Sequence, residues 1–98
     1  MAKIMYKYQL EVVDEQEIEM PFGSKIVKVD TQLGMVGMNK YPKDFLQIWC
    51  ICPIGSTTVK RKFIIIATGS EFNDSGLEFI GTVVFKASNL VYHVFEKL

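Results

Sequence analysis

Phe45-Leu46-Gln47-Ile48-Trp49-Cys50-Ile51-Cys52-Pro53 is apolar at every position except Gln47, and it ends at a Pro53-Ile54-Gly55-Ser56 turn. The run is short for a buried helix, and its Ile and Trp side chains suit a pleated surface, so it reads as a central strand covered on both faces. Residues 59–68 read as its partner: Lys60-Arg61-Lys62 opens the strand and Phe63-Ile64-Ile65-Ile66-Ala67 completes it, so it starts at the protein edge and enters the core. Upstream, residues 4–13 and 16–20 alternate around the acidic turn Asp14-Glu15 and read as a hairpin, closed by Pro21-Phe22-Gly23-Ser24. Residues 25–33 alternate well, with Val27, Val29 and Thr31 on one face and Ile26, Lys28 and Asp30 on the other. Residues 34–44 hold two glycines, Asn39 and Pro42 and keep no period, so they read as a mobile loop that starts with at most a short strand. Residues 77–86 and 90–96 form a second hairpin around Ala87-Ser88-Asn89.

The expected fold is therefore all-β: about seven antiparallel strands in one domain over residues 1–98, arranged as a small sandwich or partly open barrel. At most one short helix is expected, in residues 34–44 or 70–76. Composition agrees, since ten Val, ten Ile and five Thr stand against three Ala, and β-branched side chains disfavour helix. Trp49, Ile51, Phe63, Ile65, Phe79 and Val94 are expected to be buried. Eleven Lys+Arg balance eleven Asp+Glu, which removes any global electrostatic argument for a nucleic-acid partner. Without a basic stripe or a recognition helix, sequence-specific DNA binding is not expected. No apolar run is long enough to span a bilayer and the N-terminus lacks a signal-peptide pattern, so a cytoplasmic protein is expected.

The chemistry-bearing residues are few. Cys50 and Cys52 share one face of a strand at a spacing that strains a disulfide, and they read as buried free thiols. With His93 as the one histidine and no Cys-x-x-Cys spacing, no metal site is expected, and no cofactor. His93 reads either as a structural histidine or as an acid/base or ligand group. Glu11, Asp14, Glu15, Glu17 and Glu19 read as a solvated face, because paired catalytic carboxylates must flank a cleft. Arg61, the one arginine, points to the side of Val59 and Phe63 and can present a bidentate fork to an anion; a solvated strand end or a structural ion pair are the alternatives. Thr68-Gly69-Ser70 reads as a turn or as a small anion nest, and Gly81 as a bulge, a sheet bend or a point of close approach. Trp49, Phe63, Tyr92 and Phe95 are core candidates that are also able to stack on a base.

Glu17-Ile18-Glu19-Met20-Pro21-Phe22-Gly23-Ser24-Lys25-Ile26, Arg61-Lys62-Phe63 with Thr68-Gly69, Leu77-Glu78-Phe79-Ile80-Gly81-Thr82 and Leu90-Val91-Tyr92-His93-Val94-Phe95-Glu96 together resemble a family of short, functionally uncharacterised tailed-bacteriophage and prophage proteins. The likeness runs from Tyr8 to the end of the chain and departs at Ser70, where relatives often carry histidine. It implies a phage gene product working in the host cytoplasm and brings no catalytic residues. The expected function is that of a non-catalytic phage accessory protein, with an anti-defence role, that sequesters a small anionic, nucleotide-type ligand. Arg61, Trp49, Phe63, Thr68, Gly69, Tyr92 and His93 are its expected ligand-binding residues. The alternative is a protein-binding module that inhibits a host protein or joins a virion, and a small hydrolase using His93 ranks below both. Strands apolar on both faces also lead us to expect a homo-oligomer.

Overall fold

The computed structural model describes residues 2–38 and 41–98. Seven strands follow one another: β1 (Lys3–Leu10), β2 (Glu15–Pro21), β3 (Lys25–Val36), β4 (Tyr41–Pro53), β5 (Thr58–Ala67), β6 (Leu77–Phe85) and β7 (Leu90–Lys97). They form a three-stranded sheet, β1-β4-β3, and a four-stranded sheet, β2-β5-β7-β6, in which every pairing is antiparallel. The sheets face each other as a sandwich, and no helix occurs among the described residues, which include residues 34–38, 41–44 and 70–76, where at most one short helix was expected.

The core is made where the two inner faces meet. The three-stranded sheet contributes Leu10, Leu46, Ile48, Cys50 and Cys52; the four-stranded sheet contributes Met20, Phe63, Ile65, Val83 and Val94. Period-two alternation explains most of this set, since Leu46, Ile48, Cys50 and Cys52 are every second residue of β4. Phe63, Ile65 and Val94 are buried as expected, whereas Trp49 and Ile51 are only half-buried and Phe79 is 57% exposed. Trp49 and Ile51 occupy the other face of β4, so that strand is central within its sheet but has one core face, not two. Phe79 lies on the outer face of the four-stranded sheet, opposite Phe95 of β7.

Pairing differs from the sequence expectation in three places. Residues 4–13 and 16–20 are not a hairpin: β1 pairs with β4 and β2 with β5, so the chain changes layers between them. Gln16 secures that crossing, its Nε2 donating to the Glu11 carbonyl at 2.6 Å and its Oε1 accepting from the Glu11 N–H at 2.8 Å. These bonds satisfy backbone groups that a hairpin ladder would otherwise have used. Likewise β5 does not pair with β4 but faces it across the core, and apolarity alone could not tell an in-sheet neighbour from a facing one.

The third difference is the supposed loop at 34–44. β3 continues to Val36 and β4 begins at Tyr41, with Gly34 opposite Lys43, while Asn39 and Lys40 lie outside the described residues. Gly34 is a strand glycine: a Cβ there would stand 2.7 Å from the Phe45 ring, which lies over the bare backbone. The glycine makes room for an aromatic neighbour and does not break the strand.

Two bulges reset the alternation. In β3 the register shifts between Ile26 and Lys28, leaving Val27 as the extra residue and turning both Ile26 and Val29 to the core. The expected face of Val27, Val29 and Thr31 is thus split, and Val27 is exposed. In β6 the shift lies between Phe79 and Gly81. Gly81 then faces inward beneath Val29, whose side chain occupies the place a Cβ would take. Gly81 is both beside a bulge and a point of close approach, and the object approached is the opposite sheet.

The molecule is a plate of 40 × 37 × 18 Å with a radius of gyration of 14.5 Å. A compact chain of this length has a radius nearer to about 12.5 Å. The excess has a source in β3 and β4, whose 12 and 13 residues outrun the sheet facing them.

Candidate functional site

The expected ligand residues are distributed over both sheets. Thr68 and His93 come together on the outer face of the four-stranded sheet, and Thr82, which sequence reasoning passed over, completes the group. Thr68 Oγ1 lies 2.8 Å from His93 Nε2, and Thr82 Oγ1 lies 2.8 Å from Nδ1. Thr68 Oγ1 also donates to the Val91 carbonyl at 3.2 Å. With its one proton used there, Thr68 accepts from an Nε2–H, and Thr82 donates to Nδ1; the neutral Nε2–H tautomer satisfies every partner. Both ring nitrogens are engaged by alcohols, which fixes the ring; the Thr82 hydroxyl reaches Nδ1 as it would a base, while the group that orients the imidazole from Nε2 is a second alcohol and not a carboxylate. Gly69 follows Thr68 in the turn with φ 91°.

Beside His93 runs an aromatic group. Phe95 packs against Phe72 at 5.1 Å and against Phe79 at 5.4 Å between centroids, and Phe72 folds over it from the β5–β6 connection. Toward β2 this outer face is charged. Glu17 stands opposite Lys62 and Glu19 opposite Lys60, Thr58 Oγ1 donates to Glu19 at 2.9 Å, and Lys97 lies 3.6 Å from Glu15. The carboxylates of β2 thus form a solvated, cross-strand-paired row.

Arg61 lies on the other side of its sheet, at one end of the core. Its Nε donates to Glu96 Oε2 at 2.5 Å and its Nη2 to Glu96 Oε1 at 2.7 Å, while Nη1 donates to the Ser24 carbonyl at 2.5 Å. The bond to Glu96 raises the guanidinium pKa above its usual value, against the opposing effect of burial. Ser24, Lys25, Ile26, Glu78 and Ile80 complete a recess of about 290 Å³ around this pair. The recess carries two carboxylates, and the fork that could have met an anion is closed on one of them. Glu96 was legible in principle: Tyr92, Val94 and Glu96 share the inward phase of β7, just as Arg61, Phe63 and Ile65 share that of β5.

The other expected residues lie elsewhere. Phe63 is 0% exposed and fills the core. Tyr92 faces inward, edge-on to Phe85 at 5.3 Å. Trp49 is on the outer face of the three-stranded sheet with the Lys28 ammonium 5.5 Å from its ring centre, so the plate's thickness separates it from His93. Cys50 and Cys52 are both free and buried. Burial first, then the neighbouring Cys52, pushes the Cys50 thiol up to about 11; burial first, then both thiols, pushes the Tyr8 phenol up to about 12. Both groups are therefore protonated at neutral pH, which removes Cys50 as a thiolate nucleophile. Among the described residues no three His, Cys, Asp or Glu gather as metal ligands would.

The site that sequence reasoning missed is an uncovered stretch of core face. From Lys28 to Val36 the register of β3 on β4 is unbroken, so Val29, Thr31, Leu33 and Met35 all point to the same side. Val29 packs on the core and Thr31 is half-buried, but Leu33 is 64% and Met35 58% exposed, because the facing sheet has ended at the β6–β7 turn. Between this arm and that turn lies a recess of about 340 Å³ lined by Thr31, Leu33, Asp44, Lys86 and Ala87. It is apolar at its base, with one carboxylate and one ammonium on its walls. The signal in the sequence was the pair Leu33 and Met35 in phase with Val29, hidden by reading Gly34 as a strand breaker.

Residues 1–98 match the family described as Domain of unknown function (DUF7352), and the chain belongs to that family. No curated protein matches this chain. No solved structure matches it.

Proposed function

We propose that this member of the DUF7352 family is a non-catalytic protein-binding module that works through the inner face of its β3–β4 arm. One observation carries the reading: Leu33 and Met35 continue the core face of β3 past the end of the covering sheet. A sheet face patterned for burial and left open favours association, since each apolar side chain removed from water contributes roughly 25 cal/mol per Å². The phage resemblance of the sequence supports reading such a module as an accessory protein that meets a protein partner in the cytoplasm of an infected cell. Sequestration of a nucleotide-type anion draws less support, because Arg61 is held by Glu96 and Phe63 is inside the core.

The test is the double variant Leu33→Lys, Met35→Lys. Neither side chain fills the core, so unfolding stability is expected to stay within about 0.5 kcal/mol of the native protein. Every stable association of the protein, with itself or with another protein, is expected to be lost. An association that survives unchanged in the folded double variant overturns the proposal.

A further inference from the structure

The walls of the arm recess say what fits it. Asp44 stands on the inner side of β4 opposite Leu33, and Lys86 stands just past the end of β6, at the start of the turn where the covering sheet stops. The two charges line one recess, and none of the ion pairs among the described residues joins them. A patch holding one charge of each sign on either side of an apolar strip is complementary to itself under a two-fold rotation, because each residue then meets its opposite number twice. We infer that the partner of this arm is a second copy of the chain, each arm lying against the β6–β7 turn of the other, with Asp44 of one copy paired to Lys86 of its mate. This rests on the proposed function, since it names the protein that the arm binds.

The geometry supplies the rest of the contact. Leu33 and Met35 of each arm reach past their own four-stranded sheet, and in the two-fold arrangement they gain as cover the Lys86-Ala87 flank of the other copy. Each copy thereby completes the second layer that the other lacks. The excess radius of gyration has the same cause as the interface: a strand pair longer than its cover needs cover from outside.

A photo-crosslinker placed by Met35→p-benzoylphenylalanine separates this inference from the reading it rests on. In cells producing the protein, a crosslinked species of twice the 11.2 kDa chain mass is expected. Crosslinking only to a different protein overturns the second-copy inference and leaves the binding module standing. No crosslink to any protein overturns both.

Charge reversal then tests the pairing. In light scattering, Asp44→Lys and Lys86→Asp are each expected to weaken dimerisation by at least roughly tenfold, since each places like charges together twice. Mixing the two folded variants is expected to restore the dimer, because in the mixed pair both contacts again join opposite charges. An Asp44–Lys86 contact within one chain could not be rescued by mixing. Single variants that dimerise like the native protein, or a mixture that stays dissociated, overturn the inference.

Discussion

Glu96 holds Arg61 by both edges of the fork, Nε to Oε2 at 2.5 Å and Nη2 to Oε1 at 2.7 Å, with side chains that are only 11% and 21% exposed. The pair stitches β7 to β5, and the third arm of the guanidinium reaches the Ser24 carbonyl where the chain passes from β2 to β3. Removing one partner strands the other in a half-dry site. Glu96→Ala is therefore expected to cost about 2 to 3 kcal/mol in urea unfolding, near the upper range for charged hydrogen bonds. Arg61→Met with Glu96→Leu should recover most of that loss, since an apolar pair leaves no uncompensated charge. Calorimetry with a panel of cyclic and ADP-ribose-type nucleotides should show no heat with the native protein. Binding that disappears in Arg61→Ala while the fold persists would restore the anion reading.

Gly81 and Val29 set how closely the edges of the two sheets approach. A methyl group at 81 collides with the Val29 side chain, and neither strand can retreat without lifting a ladder. Gly81→Ala is expected to destabilise the protein by about 1 to 3 kcal/mol, the usual range for an overpacked core. Adding Val29→Ala should return part of it, and that coupling in a double-mutant cycle is the measurement that counts. Additive effects would mean that the two residues do not share the contact.

Strand existence was legible because it is local; sheet membership was not. The β-branched runs, the Ala87-Ser88-Asn89 hairpin and the core phase of Phe63, Ile65 and Val94 all follow from period-two alternation. Which strand lies beside which depends on residues far apart, so β1 was assigned to β2 and β4 to β5 by proximity in the chain. The bulges at Val27 and Ile80 each move a face by one residue; Gly81 announces the second, whereas nothing in the composition of β3 announces the first. Gly34 shows the same limit from another side: beside Phe45 it is a strand residue, and only the fold puts Phe45 there. Of the expected ligand residues, Thr68 and His93 meet because Thr68 follows β5 directly and continues its outward phase, which His93 shares on the neighbouring β7. Arg61 and Phe63 share the inward phase of β5, where Arg61 meets Glu96 and Phe63 fills the core.

Asn89 takes φ 56° immediately before β7. A left-handed backbone costs an ordinary residue about 1 to 2 kcal/mol, while asparagine and glycine accept it more readily. Asn89→Ala is expected to lower the thermal midpoint and Asn89→Gly to leave it nearly unchanged. Equal losses in both would assign the role of Asn89 to its side chain instead of its backbone.

The buried Cys50 thiol of β4 and the half-buried Tyr8 phenol of the neighbouring β1 give the protein an alkaline limit. Cys50 keeps its proton to about pH 11 in the folded protein, against 9.0 for the unconstrained thiol, because burial and the neighbouring Cys52 both disfavour the thiolate. The folded state thus binds the proton more tightly than the unfolded chain. Stability from this group is fully present below pH 9, declines as pH rises from 9 to 11, and is lost above 11. Tyr8 acts with the same sign from pH 10.0 to about 12. The unfolding free energy is accordingly expected to fall through this window, with the steepest loss where the two ranges overlap. Cys50→Ala removes the thiol and should flatten the slope between pH 9 and 11 even though it lowers stability at neutral pH through the cavity it leaves. An unchanged slope in Cys50→Ala, measured by urea unfolding across the same pH series, would locate the alkaline transition in other groups.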